Sequence, residues 1–261
     1  MIDLHSHILY GLDDGSRDLQ MTLDMLAIAV EDGTSTMVAT PHYMVGANQY
    51  DGEILRDRYN QVLDHIDRAG MEIDLLLGHE LYLDECMVQH LEDGQALTLG
   101  NTSYVLFEFP MGAIPLYTDQ VIYGLLDHGY KPIIAHPERY IPIQEDPNLL
   151  IKYIEMGCIT QINTSSINGV NGKRARQVAR LLLENNMGHL VATDSHSNRR
   201  RRPGLSTAYG EVVSWLGREK ADRIFFHNPR QVVDDERLIL DGALYIKRQK
   251  SFFKKHLLGR R

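Results

Sequence analysis

Cysteine is scarce in this chain. Cys86 and Cys158 are the two thiols in 261 residues, too few for a disulfide framework and suited to a reducing compartment. No apolar run approaches the ~18 residues of a membrane span. The N-terminus has neither the basic nor the apolar stretch of a signal peptide, because Asp3, His5 and His7 stand where those would fall. Linkers and low-complexity segments are missing as well. These absences point to a cytoplasmic protein with one domain over residues 1–246, followed by a basic tail. Positive charge is scarce outside that tail. Residues 247–261 carry seven Lys or Arg and no acid, which leaves −15 on residues 1–246 against −8 for the whole chain. So acidic a body argues against nucleic-acid binding and agrees with a carboxylate-rich metal site. The tail mixes cations with Phe252, Phe253, Leu257 and Leu258. It reads either as a solvated terminus or as a peripheral contact with an anionic membrane surface or acidic partner.

The body is regularly punctuated. Helical patterns stop at Gly33, Gly70, Gly94, Gly129, Gly157 and Gly188, where glycine supplies the left-handed position after a helix. One helix has Asp146 as its cap, Pro147 in its first turn and a Leu149, Leu150, Tyr153, Ile154 stripe before Gly157. Another sets Leu23, Leu26, Ala27 and Val30 on one face. Between the helices, short apolar runs at 2–5, 36–40, 73–78, 104–109, 132–135, 159–163 and 190–193 read as parallel strands covered on both faces. Seven strands alternating with helices predict a β/α barrel.

The strand ends are polar. His5 and His7 close the first, on one side of it by alternation, and Asp13 and Asp14 follow. Thr40-Pro41-His42 closes the second, Gly78-His79-Glu80 the third, and Glu108 lies inside the fourth. His136-Pro137-Glu138-Arg139 closes the fifth and Asp194-Ser195-His196 the seventh. A lone His-x-His is a weak signal, but six such ends converge on the carboxyl face of a barrel, where active sites are built. A buried unpaired carboxylate such as Glu108 is costly, and metal coordination removes the cost. The pattern points to a polynuclear metal site. His65, His90, His128, His189, His227 and His256 lie away from these ends and take packing or surface roles.

On His5-x-His7, Gly11-x-Asp13-Asp14-Gly15, Ala39-Thr40-Pro41-His42, Gly78-x-Glu80, His136-Pro137-Glu138-Arg139 and Asp194-x-His196, the chain resembles the PHP (polymerase and histidinol phosphatase) superfamily of metal-dependent phosphoesterases. Within it, residues 1–240 are similar to the bacterial protein-tyrosine phosphatases encoded with capsule and exopolysaccharide genes. Two departures are Tyr10, where the family often has proline, and Ser197, where asparagine often follows the last histidine; neither removes a ligand. The resemblance implies a distorted seven-stranded barrel, the PHP fold, with three divalent ions, manganese by family expectation and iron or zinc as alternatives. It assigns His5, His7, Glu80 and Asp194 to the first ion. Glu80, Glu108 and His136 go to the second, and Asp14, His42 and His196 to the third.

The implied reaction is hydrolysis of phosphotyrosine by a metal-bridged hydroxide, on the phosphorylated tail of a bacterial tyrosine autokinase. Arg139 is the expected phosphate clamp. Arg202 is the second, with Arg199, Arg200 and Arg201 open as alternatives. A cysteine-dependent phosphatase is excluded, because its mechanism needs arginine six residues after the nucleophile, and Glu92 and Thr164 stand there. A P-loop at Gly172-Lys173 fails on Ile167 and Arg174. The alternatives are a small-molecule phosphomonoesterase, such as a histidinol phosphatase, and a non-catalytic metal-stabilised module that binds a phosphorylated partner.

Overall fold

The structure, a computed structural model, describes residues 1–50 and 52–247. Nine strands occur among them: β1 (Ile2–Ser6), β2 (Thr36–Ala39), β3 (His42–Tyr43), β4 (Asp74–Leu77), β5 (Glu80–Tyr82), β6 (Tyr104–Glu108), β7 (Lys131–Ala135), β8 (Ile159–Asn163) and β9 (Leu190–Ala192). They form two parallel sheets, a three-stranded one in the order β1-β2-β4 and a six-stranded one in the order β3-β5-β6-β7-β8-β9. The mixed α/β class agrees with the sequence. The single sheet expected from it is replaced by two.

The reason lies at two strand breaks. Pro41 has no N–H to give a ladder, so the chain leaves β2 and resumes pairing at His42. Gly78 sits so close to Thr98 and Leu99 that a Cβ would lie 3.0 Å from the Thr98 carbonyl oxygen, and pairing resumes at Glu80. Both breaks are bridged sideways: Gly78 N donates to Ala39 O at 2.8 Å, and Glu80 N to Pro41 O at 3.2 Å. On the opposite side β1 and β9 meet where Asp194 N donates to His5 O (2.9 Å) and His7 N to Ser195 O (2.8 Å).

Alternation along the strands sorts the core and prepares the site. Phe107, Ile134, Ile162 and Val191 face one way and pack with Ile122, Leu125, Leu150, Val178 and Leu182 from the covering helices. A second cluster joins Met37 and Leu75 to Met25, Leu26, Val62 and Ile66 of the helices Leu19–Glu31 and Gly52–Ala69. On the other strand face, Leu4, Val38, Leu106, Ile133, Ile159 and Leu190 meet one another and are closed off by Val232 and Leu238. Two residues further along that face, Leu106 is followed by Glu108, and Ile159 by Gln161 and Asn163. The inner face therefore turns from apolar to polar toward the strands' carboxyl ends.

Five of the six expected glycine stops are left-handed: Gly33, Gly70, Gly94, Gly129 and Gly157 have φ between +59° and +114°. Gly188 is different. After the helix Lys173–Glu184 the left-handed residue is Asn186, at φ +55°. Gly188 is needed for space instead, since a Cβ there would lie 2.8 Å from Leu183 and 3.1 Å from Ile162. The helix assigned to an Asp146 cap starts later, at Leu149, behind Asn148. Asp146 ends the short helix Ile141–Glu145 and accepts from Asn148 N at 3.2 Å. No helix among the described residues is long and apolar enough to cross a membrane. The basic tail lies outside the described residues from 248 onward.

Candidate metal centre

All nine residues expected to bind metal come together at the carboxyl ends of the strands. His5 and His7 point their Nε2 atoms at each other, 3.1 Å apart. Each Nδ1 faces an acceptor: His5 Nδ1 lies 2.8 Å from Gln161 Oε1 and His7 Nδ1 2.7 Å from Asp13 Oδ2. With the ring protons on Nδ1, two lone pairs confront each other in a fully buried space. Glu80 Oε2 and Asp194 Oδ1 close round them, and the five separations that involve an imidazole fall between 3.1 and 3.5 Å. Ligands ~2.1 Å from a common ion stand roughly 3.0–3.4 Å apart. The donor set fits a divalent cation, and imidazoles with carboxylates suit a first-row metal.

Two further groupings share members with the first. His7, Asp14, His42 and His196 converge, as do His42, Glu80 and Glu108. Asp14 Oδ1 is 3.3 Å from His196 Nε2 and 3.5 Å from His42 Nε2. His136 Nε2 lies 2.9 Å from Glu80 Oε1 and 3.6 Å from Glu108 Oε2. His7 thus reaches the expected third set as well as the first, and His42 reaches Glu80 and Glu108 alongside His136. Buried Glu80 Oε2 and His42 Nδ1 lie 3.1 Å apart yet form no well-aimed hydrogen bond, as expected of atoms arranged for a cation.

The electrostatics agree. Burial alone would push Glu80 and Asp194 up, but positive charge held between the imidazoles, at His5 first, and the Arg201 guanidinium at Asp194 keep these carboxyls well below the usual range, so the cage itself calls for a cation where the Nε2 atoms meet. Glu108 goes the other way: burial, then the neighbouring Glu80 charge, pushes it up to about 8. Burial pushes His136 down to about 4, which keeps it neutral and able to donate its lone pair. Only Asp14 is largely open to solvent, its side chain 67% exposed.

Local backbone explains how the groups are aimed. His136 and Asp194 take left-handed conformations, φ +34° and +50°, where each chain leaves its strand. Such strain in non-glycine residues persists where the surroundings over-determine it, commonly at functional sites. Gly15 lets the Asp13-Asp14 turn lie on His7: a Cβ there would be 2.2 Å from His7 O. Asp13 accepts from His42 N at 2.9 Å besides His7 Nδ1, so one buried carboxylate ties both histidines.

A cavity of ≈ 140 Å³ opens over these groups, lined also by Met111, Arg139 and Arg201. Arg139 Nη1 is 3.1 Å and Arg201 Nη2 2.7 Å from Asp194 Oδ2. Of the basic run, Arg201 is the residue that reaches the pocket; Arg199, Arg200 and Arg202 are exposed. The cause is the loop. His196 N and Ser197 N both donate to Arg201 O, at 2.8 and 3.1 Å, which folds the run back on itself and turns position 201 inward. Arg202, expected first with Arg199, Arg200 and Arg201 as alternatives, lies exposed outside the pocket that Arg201 lines, because loop register is set by these contacts. Gln161 and Asn163 were also missed. Their signal was available: polar residues two apart on one face of a short buried strand.

Fold and site together define an α/β protein with a His/Asp/Glu centre suited to divalent metal ions. The chain belongs to the family described as capsular polysaccharide synthesis, CpsB/CapC, which matches residues 1–234. It is 36% identical over 250 residues to the tyrosine-protein phosphatase YwqE of Bacillus subtilis, covering 91% of this chain and 98% of that protein. It is 32% identical over 238 residues to the tyrosine-protein phosphatase CpsB of Streptococcus agalactiae, covering 89% and 98%. A crystal structure from the pair YwqE of Bacillus subtilis and CpsB of Streptococcus pneumoniae, described as unique metal-dependent tyrosine phosphatases, superposes with a TM-score of 0.91. It is 32% identical, with 95% of this chain and 100% of that one covered.

Proposed function

We propose that this chain is a metal-dependent protein-tyrosine phosphatase, acting on the phosphorylated tail of a tyrosine kinase in capsular or exopolysaccharide synthesis. One observation carries the chemistry. Two buried imidazole Nε2 atoms face each other 3.1 Å apart, inside a carboxylate cage that opens to a pocket with two arginines. A structural site has no use for that opening.

His5, His7, Glu80 and Asp194 would hold the first ion, Glu80, Glu108 and His136 the second, and Asp14, His42 and His196 the third. We take the three ions to be manganese; the ligand chemistry also suits iron and zinc. Bound there, they supply Lewis-acid charge and acidify water at neutral pH. The side chains do the rest. Arg139 and Arg201 both rest on Asp194 Oδ2, and an arriving phosphoryl group offers them a second set of oxygens in the bidentate geometry guanidinium favours. Their charge then offsets what builds on the phosphoryl oxygens in the transition state. A tyrosine leaving group, with pKa ~10, needs little help from a general acid.

The same reading treats the two sheets as one distorted barrel of seven strand positions, β2 continuing into β3 and β4 into β5. The β9-to-β1 hydrogen bonds support it. It treats residues 1–246 as one catalytic unit, supported by Ile246 N and O, which pair with the Asn148 side chain at 2.8 and 3.2 Å. Free thiols at exposed Cys86 and buried Cys158 favour the cytoplasm.

The deciding assay compares a phosphotyrosine peptide with histidinol phosphate, before and after chelation and manganese return. The peptide should be the better substrate, and activity should vanish on chelation, return with manganese, and be missing in Glu80→Ala and His136→Ala. Faster turnover of histidinol phosphate would move the protein to the small-molecule class. Full activity in demonstrably metal-free protein would overturn the metal reading.

A further inference from the structure

β8 carries no residue of the expected ligand set, yet its Gln161 and Asn163 are fully buried beside it. We propose that these two amides are positioning residues. They close a hydrogen-bond ring from His5 to Asp194 that fixes the ring tautomer of the one and the aim of the other. This rests on the reading that His5, His7, Glu80 and Asp194 hold a metal ion.

The direction of every bond in the ring follows from the charge at one end. Asp194 Oδ2 can only accept, so the Asn163 atom 2.5 Å away is its Nδ2 amide. Asn163 Oδ1 must then face Gln161, and the Gln161 atom 2.9 Å from it must donate, so that atom is Nε2. Gln161 Oε1 is left to face His5 Nδ1 at 2.8 Å, which must carry the proton. The lone pair of His5 is thereby placed on Nε2, the atom 3.5 Å from Asp194 Oδ1 and 3.1 Å from His7 Nε2. Two amides thus carry orientation from a carboxylate on one side of the cage to an imidazole on the other. The Asn163 backbone N is itself held by buried Glu138 Oε1 at 3.1 Å, which anchors the relay to the His136-Pro137-Glu138-Arg139 turn.

Space filling alone would be served as well by an apolar side chain of the same length. The relay instead predicts that chemistry at position 161 matters more than volume. Groups that orient metal ligands typically change metal affinity by ~10- to 100-fold.

The test uses full-length protein freed of metal and titrated with manganese(II) against a fluorescent chelator, with 15N spectra of the histidine rings at a pH where they are neutral. Gln161→Met should weaken the tightest manganese site ~10- to 100-fold and lose the Nδ1–H form at His5. Gln161→Glu keeps the acceptor for His5 and should retain the Nδ1–H form, but it removes the Nε2–H donor to Asn163, so its manganese affinity should fall between those of wild type and Gln161→Met. Asn163→Leu should behave like Gln161→Met. Manganese affinity unchanged in Gln161→Met would overturn the proposal. Loss of the Nδ1–H form in the Glu variant as well as in the Met variant would also overturn it, making Gln161 a packing residue. Wild type that fails to bind manganese but shows the Nδ1–H form would remove the metal reading while leaving the ring itself intact.

Discussion

Replacing Arg201 should cripple turnover, and replacing Arg202 should not. Arg201 Nη2 reaches to 2.7 Å from Asp194 Oδ2 in the pocket, whereas Arg202 points to solvent. A charge-assisted contact made in the transition state is worth ~3 kcal/mol in a water-excluded site. The Arg201 side chain is 27% exposed, so solvent screening trims this to ~2 kcal/mol. At ~1.4 kcal/mol per decade, Arg201→Ala should slow kcat on a phosphotyrosine peptide by ~30-fold. Arg139, equally exposed at 27%, should behave alike, with losses between about 30- and 100-fold spanning the screened and unscreened limits. Arg202→Ala should stay within about twofold, as surface changes do. The assay is steady-state turnover with saturating manganese, alongside metal content by elemental analysis, because losing a guanidinium from Asp194 could also disturb a ligand. Retained kcat in Arg201→Ala, or a large loss in Arg202→Ala, would refute the loop geometry. A loss of kcat that tracks a loss of bound metal would refute the clamp role.

Two further outcomes test the scaffold. His189 is buried with Nδ1 accepting from Thr160 N at 3.1 Å, and burial pushes its pKa down to about 4. The unfolded chain binds that proton below pH ~6.5 while the fold resists it to about 4, so stability must fall as pH drops through this window. Between pH 7 and 4.5 the His189 contribution is roughly 2.5 kcal/mol, and urea unfolding of His189→Gln should show a pH difference smaller by about that much. An identical pH difference would show that the imidazole titrates normally. Gly15→Ala puts a methyl group 2.2 Å from His7 O; it should cost ~1–3 kcal/mol in thermal unfolding and lower metal occupancy. A variant with wild-type melting and full metal content would mean the Asp13-Asp14 turn does not need that glycine.

The convergence of His, Asp and Glu at the candidate metal centre was legible in the sequence because a charged residue in a short buried strand must have its charge compensated close by. Glu108 inside 104–109, and histidines or acids at five other strand ends, could only be satisfied by convergence. Seven of the nine strands and five of the six glycine stops were readable for the same kind of reason: short runs of apolar residues and left-handed φ are local constraints, written residue by residue. What the tertiary structure alone decided depends on contacts between distant segments. The split into two sheets follows from Pro41 lacking an N–H and Gly78 lying against Thr98. The inward turn of Arg201 follows from Ser197 and His196 folding the loop back, and Gly188 is small because Leu183 and Ile162 crowd it. The chain by itself fixed which groups sit at the ends of its strands. Which of them meet, and which arginine reaches them, was settled by packing, because distances across a fold are sums of many local choices that no single segment encodes.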